Sequence, residues 1–179
     1  MKNIILIPTS VLALTLAACS DKKEVSQKPA ENRASLEQLV LSTAPDKASE
    51  IATVRSSAKP GETVTFKGQV MGSDNVFVNG YAVMIVGDPK KMTPCNAIPG
   101  DGCPTPWDVC CDDPDVVKAS IITVQVADAS GKPLKASLKG LSGLKELSWV
   151  TVTGKVTEAS NKNNMVVNAT GLFIHPKQK

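Results

Sequence analysis

Hydrophobic and polar residues alternate in five stretches between positions 63 and 174. In Thr63–Val70 (TVTFKGQV), Val64, Phe66, Gly68 and Val70 fall on one face. Thr63, Thr65, Lys67 and Gln69 fall on the other, which is the period of two of a half-buried strand. Tyr81–Val86 (YAVMIV) predicts a second, largely apolar strand. Ser120–Ala127 (SIITVQVA) predicts a third, with Ile122, Val124 and Val126 inward. Trp149–Val156 (WVTVTGKV) repeats the alternation, and Met165–Ile174 (MVVNATGLFI) closes the set. Turn residues separate the later strands at Asp128–Gly131 and Asn161–Asn164. Helical spacing appears in EIATVRSSAKPGE, where Ile51 and Val54 lie three apart before Pro60-Gly61 ends the run. Leu138–Leu147 (LKGLSGLKEL) leaves room for a short helix loosened by glycine.

This order is strand, strand, long insertion, strand, short helix, strand, strand. It predicts an all-β domain over residues 48–176, a five-stranded Greek-key barrel of the OB-fold type with short helices. An open β-sandwich built from the same strands is the alternative. Gly68 and Gly154 sit mid-strand, where a tightly coiled barrel bends without a side chain.

The residues before the domain carry a different pattern. Lys2 precedes an apolar run from Ile4 to Ala18, shorter than the roughly 20 residues of a membrane span. The run has the order of a secretory signal, predicted over 1–18. It ends in Leu16-Ala17-Ala18-Cys19, which resembles the lipobox of bacterial lipoprotein precursors. That resemblance implies cleavage before Cys19 and acylation of its thiol and amino group, palmitate being the typical acyl chain. Ser20 follows the cysteine in place of an inner-membrane retention aspartate, so the expected location is the outer membrane, facing the periplasm. Residues 19–47 are rich in charged and small residues, with Pro29 and Pro45, and predict a largely disordered tether. Within it Glu31–Leu41 has a weak helical pattern, Leu36, Leu39 and Val40 sharing a face, read as a frayed, mobile helix. Residues 177–179 form a short tail.

Between the second and third predicted strands lies an insertion, residues 88–118, too long to be a plain connection. It holds Cys95, Cys103, Cys110 and Cys111, the last three in the stretch CPTPWDVCC. Thr105-Pro106-Trp107-Asp108 fits a helix start, with threonine as cap and proline at the first position. One helical turn from Pro106 would carry Trp107, Cys110 and Cys111. The two adjacent thiols would then point roughly 100° apart, toward different partners. In an oxidising compartment this favours two disulfides. The pairings are 95–110 with 103–111, or 95–111 with 103–110, with Trp107 over the sulfurs and its indole N–H on a nearby carbonyl.

Two other chemistries remain open for the same cysteines. Four thiolates suit zinc or copper(I), with Asp101, Asp108, Asp112, Asp113 and Asp115 nearby as oxygen donors, although the spacing lacks a C-x2-C knuckle. A thiol-redox role would need an exposed, activated cysteine, and neither a C-x-x-C nor a thioredoxin-like pattern surrounds these.

Composition narrows the function further. The formal net charge is +3, from 20 basic and 17 acidic residues, and aromatic residues make up 3%. Neither a basic groove nor a stacking platform for nucleic acid is expected. The single histidine, His175, lies in the segment after the last strand and is read as a solvated terminal residue. No histidine base beside a nucleophile, phosphate-cradling loop or placed carboxylate pair appears, so there is no positive case for an enzyme.

The segments KPGETVTFKGQV, NGYAVMIVGDP, CPTPWDVCC, VTVTGKV and NMVVNATGLFI resemble a group of uncharacterised exported OB-fold-like proteins of bacteria, over about Ala48–Pro176. The resemblance implies a fold and an exported location without an activity. The function expected is therefore a lipid-anchored, non-catalytic binding module needing no cofactor. Its contact surface for a protein or glycan would include Trp107, Tyr81, Phe77 and Asp108. The alternative is a periplasmic metal-binding (zinc or copper) or thiol-redox protein using the four insertion cysteines.

Overall fold

The computed structural model describes residues 24–176; the signal peptide expected over 1–18, the lipidation site Cys19 and the tail 177–179 lie outside them. The elements run α1 (Glu24–Leu39), β1 (Ser49–Glu50), α2 (Ile51–Ser57), β2 (Thr63–Gln69), β3 (Val83–Gly87), α3 (Pro114–Ser120), β4 (Ile121–Gln125), β5 (Trp149–Val156) and β6 (Val166–Ile174). All five strands predicted from alternation are present, within two residues at each end.

These five strands close on themselves. Around the barrel β2 is followed by β3, β4, β6 and β5, and β5 returns to β2. The β2–β5 seam is antiparallel over seven residue pairs, Thr63 opposite Lys155 through Gln69 opposite Trp149. β3–β4 and β5–β6 are also antiparallel, while β4–β6 is parallel. The β2–β3 seam is the thinnest, held in register at Gln69 and Gly87. The short β1 pairs with Phe66 and Lys67 on the edge of β2 that β3 leaves uncovered.

Closure buries the alternating apolar set. Phe66, Met84, Val86, Ile122, Val124, Val150, Val152, Val167 and Leu172 are at most 1% exposed. Removing apolar surface of this kind from water is the main stabilising term, at roughly 25 cal/mol per Å². The β5–β6 ladder carries a register shift at Thr153/Gly154: Thr153 faces Gly171 while Gly154 faces Ala169, leaving Thr170 as the extra, exposed residue. A bulge here increases the local twist that a small barrel needs.

Three segments differ from what the sequence suggests. The first is the tether: its α1 is docked, not loose. Leu36 is fully buried and Leu39 is 8% exposed, both in the barrel core. Val40 bridges Leu172, and Leu41 N–H donates to the Leu172 carbonyl at 2.8 Å. Arg33 also reaches the Ser137 and Gly140 carbonyls.

The second is Leu138–Leu147, which forms one 3-10 turn at Leu141–Gly143 instead of an α-helix. Gly140, Ser142, Gly143 and Leu147 all have positive φ, a conformation that cannot propagate a right-handed helix. Leu138, Leu141 and Leu144 are still buried, because three residues per 3-10 turn also bring them to one side.

The third is α3, inside the insertion that otherwise reads as irregular. Asp113 caps it, its carboxylate accepting from Asp115 N–H at 2.8 Å and Val116 N–H at 3.3 Å, and Pro114 fills the first turn. Asp113→Ala is expected to lower unfolding free energy by about 1 kcal/mol with an unchanged denaturant slope. Urea denaturation of the two proteins side by side measures both quantities.

Candidate functional site

The insertion folds back on itself as a short two-legged arm. Cys95 N–H donates to the Asp108 carbonyl at 2.8 Å and Asn96 N–H to the Pro106 carbonyl at 2.9 Å. Farther down, Thr93 N–H donates to the Asp112 carboxylate at 2.8 Å. Met71, Met92 and Val109 form a small second core beneath the arm, with Trp107, Val117, Ile121 and Leu147 around it. The Gly72 N–H, bonded to the Trp107 carbonyl at 3.1 Å, ties the arm to the chain leaving β2.

This pairing explains why the helical turn expected from Pro106 does not form. In a helix the carbonyls of Pro106 and Asp108 would accept from residues four positions ahead. Here they point sideways to Asn96 and Cys95. The chain makes two successive turns instead, closed by Asp108 N–H to the Thr105 carbonyl at 2.9 Å and Asp112 N–H to the Val109 carbonyl at 3.0 Å.

The cysteines accordingly sort three to one. The sulfurs of Cys95, Cys103 and Cys110 all lie within 4.8 Å of one another. The Sγ atoms of Cys95 and Cys110 are 3.7 Å apart. Cys111 is exposed and outside the trio. Among the described residues no sulfur pair stands at the roughly 2.05 Å of a disulfide. Neither pairing expected from the sequence is formed, and both would require Cys111. The expected splay of Cys110 and Cys111 rested on the helical turn, and the actual turns direct Cys110 alone to the cluster.

The three thiols have different environments. Cys95 is buried, and burial first, then the neighbouring Cys103 and Cys110 thiols, pushes its pKa well up. The Cys103 thiol is pulled below its usual value by the Thr105 hydroxyl and backbone, the hydroxyl oxygen lying 3.3 Å from its sulfur. At Cys110 the contact with Cys95 lowers the pKa, but the adjacent Cys111, desolvation and Cys103 outweigh it, and the net shift is upward.

The acidic residues of the arm are mostly occupied in holding it. Asp101 accepts from Cys103 N–H at 2.9 Å, Asp108 from Val109 N–H at 2.8 Å, and Asp112 and Asp113 hold Thr93 and α3. Asp115 pairs with Lys118 on the surface. Trp107 meets its expected carbonyl, Nε1 donating to Asp74 O at 2.9 Å, but its ring packs against the two hydrophobic cores.

The residues proposed from sequence as a contact surface do not gather in one place. Phe77 and Trp107 border a small cleft with Glu146, whereas Tyr81 is 42% exposed and is not part of its lining. Asp108 serves the arm's backbone. A larger cleft also borders Trp107, where Trp149 and His175 join it. No sequence pattern signals this grouping, since Trp149 reads as a strand residue and His175 as a tail residue.

His175 is partly buried there. Its Nε2 lies 2.9 Å from Thr151 Oγ1, and its ring stands edge-on to Phe173 at 4.8 Å. Desolvation, then the Lys67 charge, lowers its pKa. A histidine whose folded pKa is depressed binds fewer protons than in the unfolded chain. Its contribution to stability is present above the unfolded value of about 6.5 and is lost as pH falls through the lower folded value. As the chain has one histidine, NMR titration should show a single imidazole transition with its midpoint below about 6.5. Compared with protein-family models, with curated proteins and with solved structures, the chain finds no match.

Proposed function

We propose that the protein is a lipid-anchored envelope protein whose barrel, of the OB-fold type, carries a thiolate site for a soft metal ion, zinc or copper(I). The observation that carries the metal reading is the mutual approach of the Cys95, Cys103 and Cys110 sulfurs. Three thiolates about 2.3 Å from one ion lie about 3.8–4.0 Å from one another. The 3.7 Å between Cys95 and Cys110 matches that requirement, and the limit of 4.8 Å on the others leaves a small adjustment. Cys95 supplies a buried, fixed ligand, while Cys103 and Cys110 come from the facing leg of the arm and give access. Binding would displace protons from the thiols, so affinity and acidity are linked.

Support for the OB reading is the strand circuit, first–second–third–fifth–fourth in barrel order, with the third and fifth parallel. The lipid anchor and the outer-membrane, periplasm-facing location rest on Leu16-Ala17-Ala18-Cys19 and Ser20. The likeness to exported OB-fold-like proteins points the same way.

The test is metal stoichiometry on reduced protein loaded with zinc or copper(I), read by native mass spectrometry. One ion per chain is expected. Cys95→Ser, Cys103→Ser and Cys110→Ser should each weaken binding at least about tenfold, the scale of losing one ligand or its support. Cys111→Ser should bind like the parent. Equal weakening by Cys111→Ser, or no metal on the reduced protein, sinks the reading.

A second reading rests on the same 3.7 Å contact: under oxidation Cys95 and Cys110 are placed to bond. Protein isolated from an oxidising compartment would then weigh two protons less. Alkylation under denaturing conditions would reach only Cys103 and Cys111 among the insertion cysteines.

A further inference from the structure

Both tryptophans of the chain and its single histidine border one cleft. It encloses about 600 Å³, within the range of small-molecule sites. Pro106 and Trp107 of the insertion form one wall, and Trp149 and His175, from the paired ends of β5 and β6, form the other. Core packing does not use up these rings, although Trp107 also rests against both apolar clusters. Aromatic residues are 3% of the chain, and among the described buried residues Phe66 is the one aromatic. Both indoles remain partly exposed.

The two rings are held before any ligand arrives. Trp107 is fixed through its indole N–H on Asp74 and its carbonyl on Gly72. Trp149 opens β5 opposite Gln69, and Lys67 Nζ rests 5.2 Å from its ring centroid. Preset aromatic faces lose little freedom on binding, which favours affinity.

The cleft carries little net charge. Glu146 is bonded to Lys139 at 2.6 Å, and His175 is held toward its neutral form against Thr151. Lys145 lines the cleft without an acidic partner among the described residues, one cation where a phosphate backbone needs a track of them. Polar capacity comes from neutral groups. The exposed Asn96 carboxamide makes no hydrogen bond among the described residues. The Ser148 hydroxyl accepts from Lys145 N–H and keeps its own proton to donate.

Flat apolar faces flanked by neutral hydrogen-bonding groups match a neutral pyranose. When all ring substituents are equatorial, each sugar presents a C–H face to an indole and its hydroxyls to the rim. We propose that this cleft binds an uncharged oligosaccharide of β-1,4-linked, gluco-configured sugars, stacked on Trp107 and Trp149 and hydrogen-bonded by Asn96. The proposal is independent of metal at the cysteine trio.

The intact protein, solubilised in detergent, is titrated with chitotetraose and with cellotetraose while tryptophan fluorescence is followed. Oligothymidylate is titrated in parallel as the stacking ligand that carries charge. A saturable change with at least one saccharide is expected, with a Kd of about 0.1–1 mM. Trp149→Ala and Asn96→Ala should each weaken it, the former at least about tenfold, the scale of losing one stacking face. Trp149 opens β5, so its variant also perturbs the barrel. Asn96→Ala lies on the arm with an exposed side chain, and its circular dichroism and melting temperature should match the parent. No saturable change with either saccharide, a response to oligothymidylate instead, or binding that Asn96→Ala leaves untouched overturns the proposal.

Discussion

Gly154→Ala should destabilise the protein by about 3 kcal/mol or more, a large share of the roughly 5–15 kcal/mol that holds a domain of this size together. The backbone of Gly154 is in an ordinary conformation, so the cost comes from space. A Cβ there would stand 2.4 Å from the Asn168 carbonyl oxygen, 2.7 Å from Val167 Cγ1 and 2.9 Å from Ala169 Cα. Two of these three neighbours are backbone atoms of β6, at the bulge where β5 and β6 change register. They can yield only by opening the ladder at the bulge, where the local twist is already raised. Gly102→Ala is the matched control: nothing lies within 4 Å of its added Cβ. That variant should stay within about 0.5 kcal/mol of the parent, or gain slightly by restricting the unfolded chain. Urea denaturation of the three proteins decides the matter. Equal midpoints for Gly154→Ala and the parent would mean that the β5–β6 contact is looser than these distances require.

The strands were legible for the same reason that Gly154 matters. One face of each is buried, so polarity alternates with the pleat, and glycines stand where two strands approach too closely for a side chain. Other elements answer to less local forces. Leu138, Leu141 and Leu144 are three apart, a spacing that α and 3-10 turns share over a few residues; the left-handed Gly140 and Gly143 decide against the α-helix. Asp113-Pro114 is a helix start by local rules, but in a segment dominated by cysteine and acid its capping value is easily passed over. The cysteine trio is set by which backbone groups pair across the arm, Cys95 with Asp108 and Asn96 with Pro106. Linear spacing does not encode that pairing, so it cannot say that Cys111 is the one left out. The cleft is the extreme case, because Trp107, Trp149 and His175 meet only once the barrel has closed.

Leu36→Ala should cost about 2–5 kcal/mol, the range for emptying a fully enclosed leucine site. A leucine on a loose tether would give a change within about 0.5 kcal/mol. Leu36 is 0% exposed and belongs to the same core as Phe66 and Leu172. The cavity would also remove the main apolar anchor of α1, leaving Leu39 and the Val40–Leu172 bridge to hold it. Local detachment should therefore precede global unfolding, and trypsin reports it: cleavage after Arg33 should become faster in the variant. Unfolding that starts at α1 would raise the cleavage rate well before the barrel melts; a single cooperative unit would raise both together. The difference bears on the proposed anchor. With α1 docked, the chain between Cys19 and the barrel shrinks to the few residues before Glu24 plus a helix of about 24 Å, at 1.5 Å per residue. A docked α1 thus leaves the barrel little independent reach from a lipid on Cys19, whereas a detached one gives it the freedom of a flexible tether. Leu36 sets which of these the proposed anchor experiences.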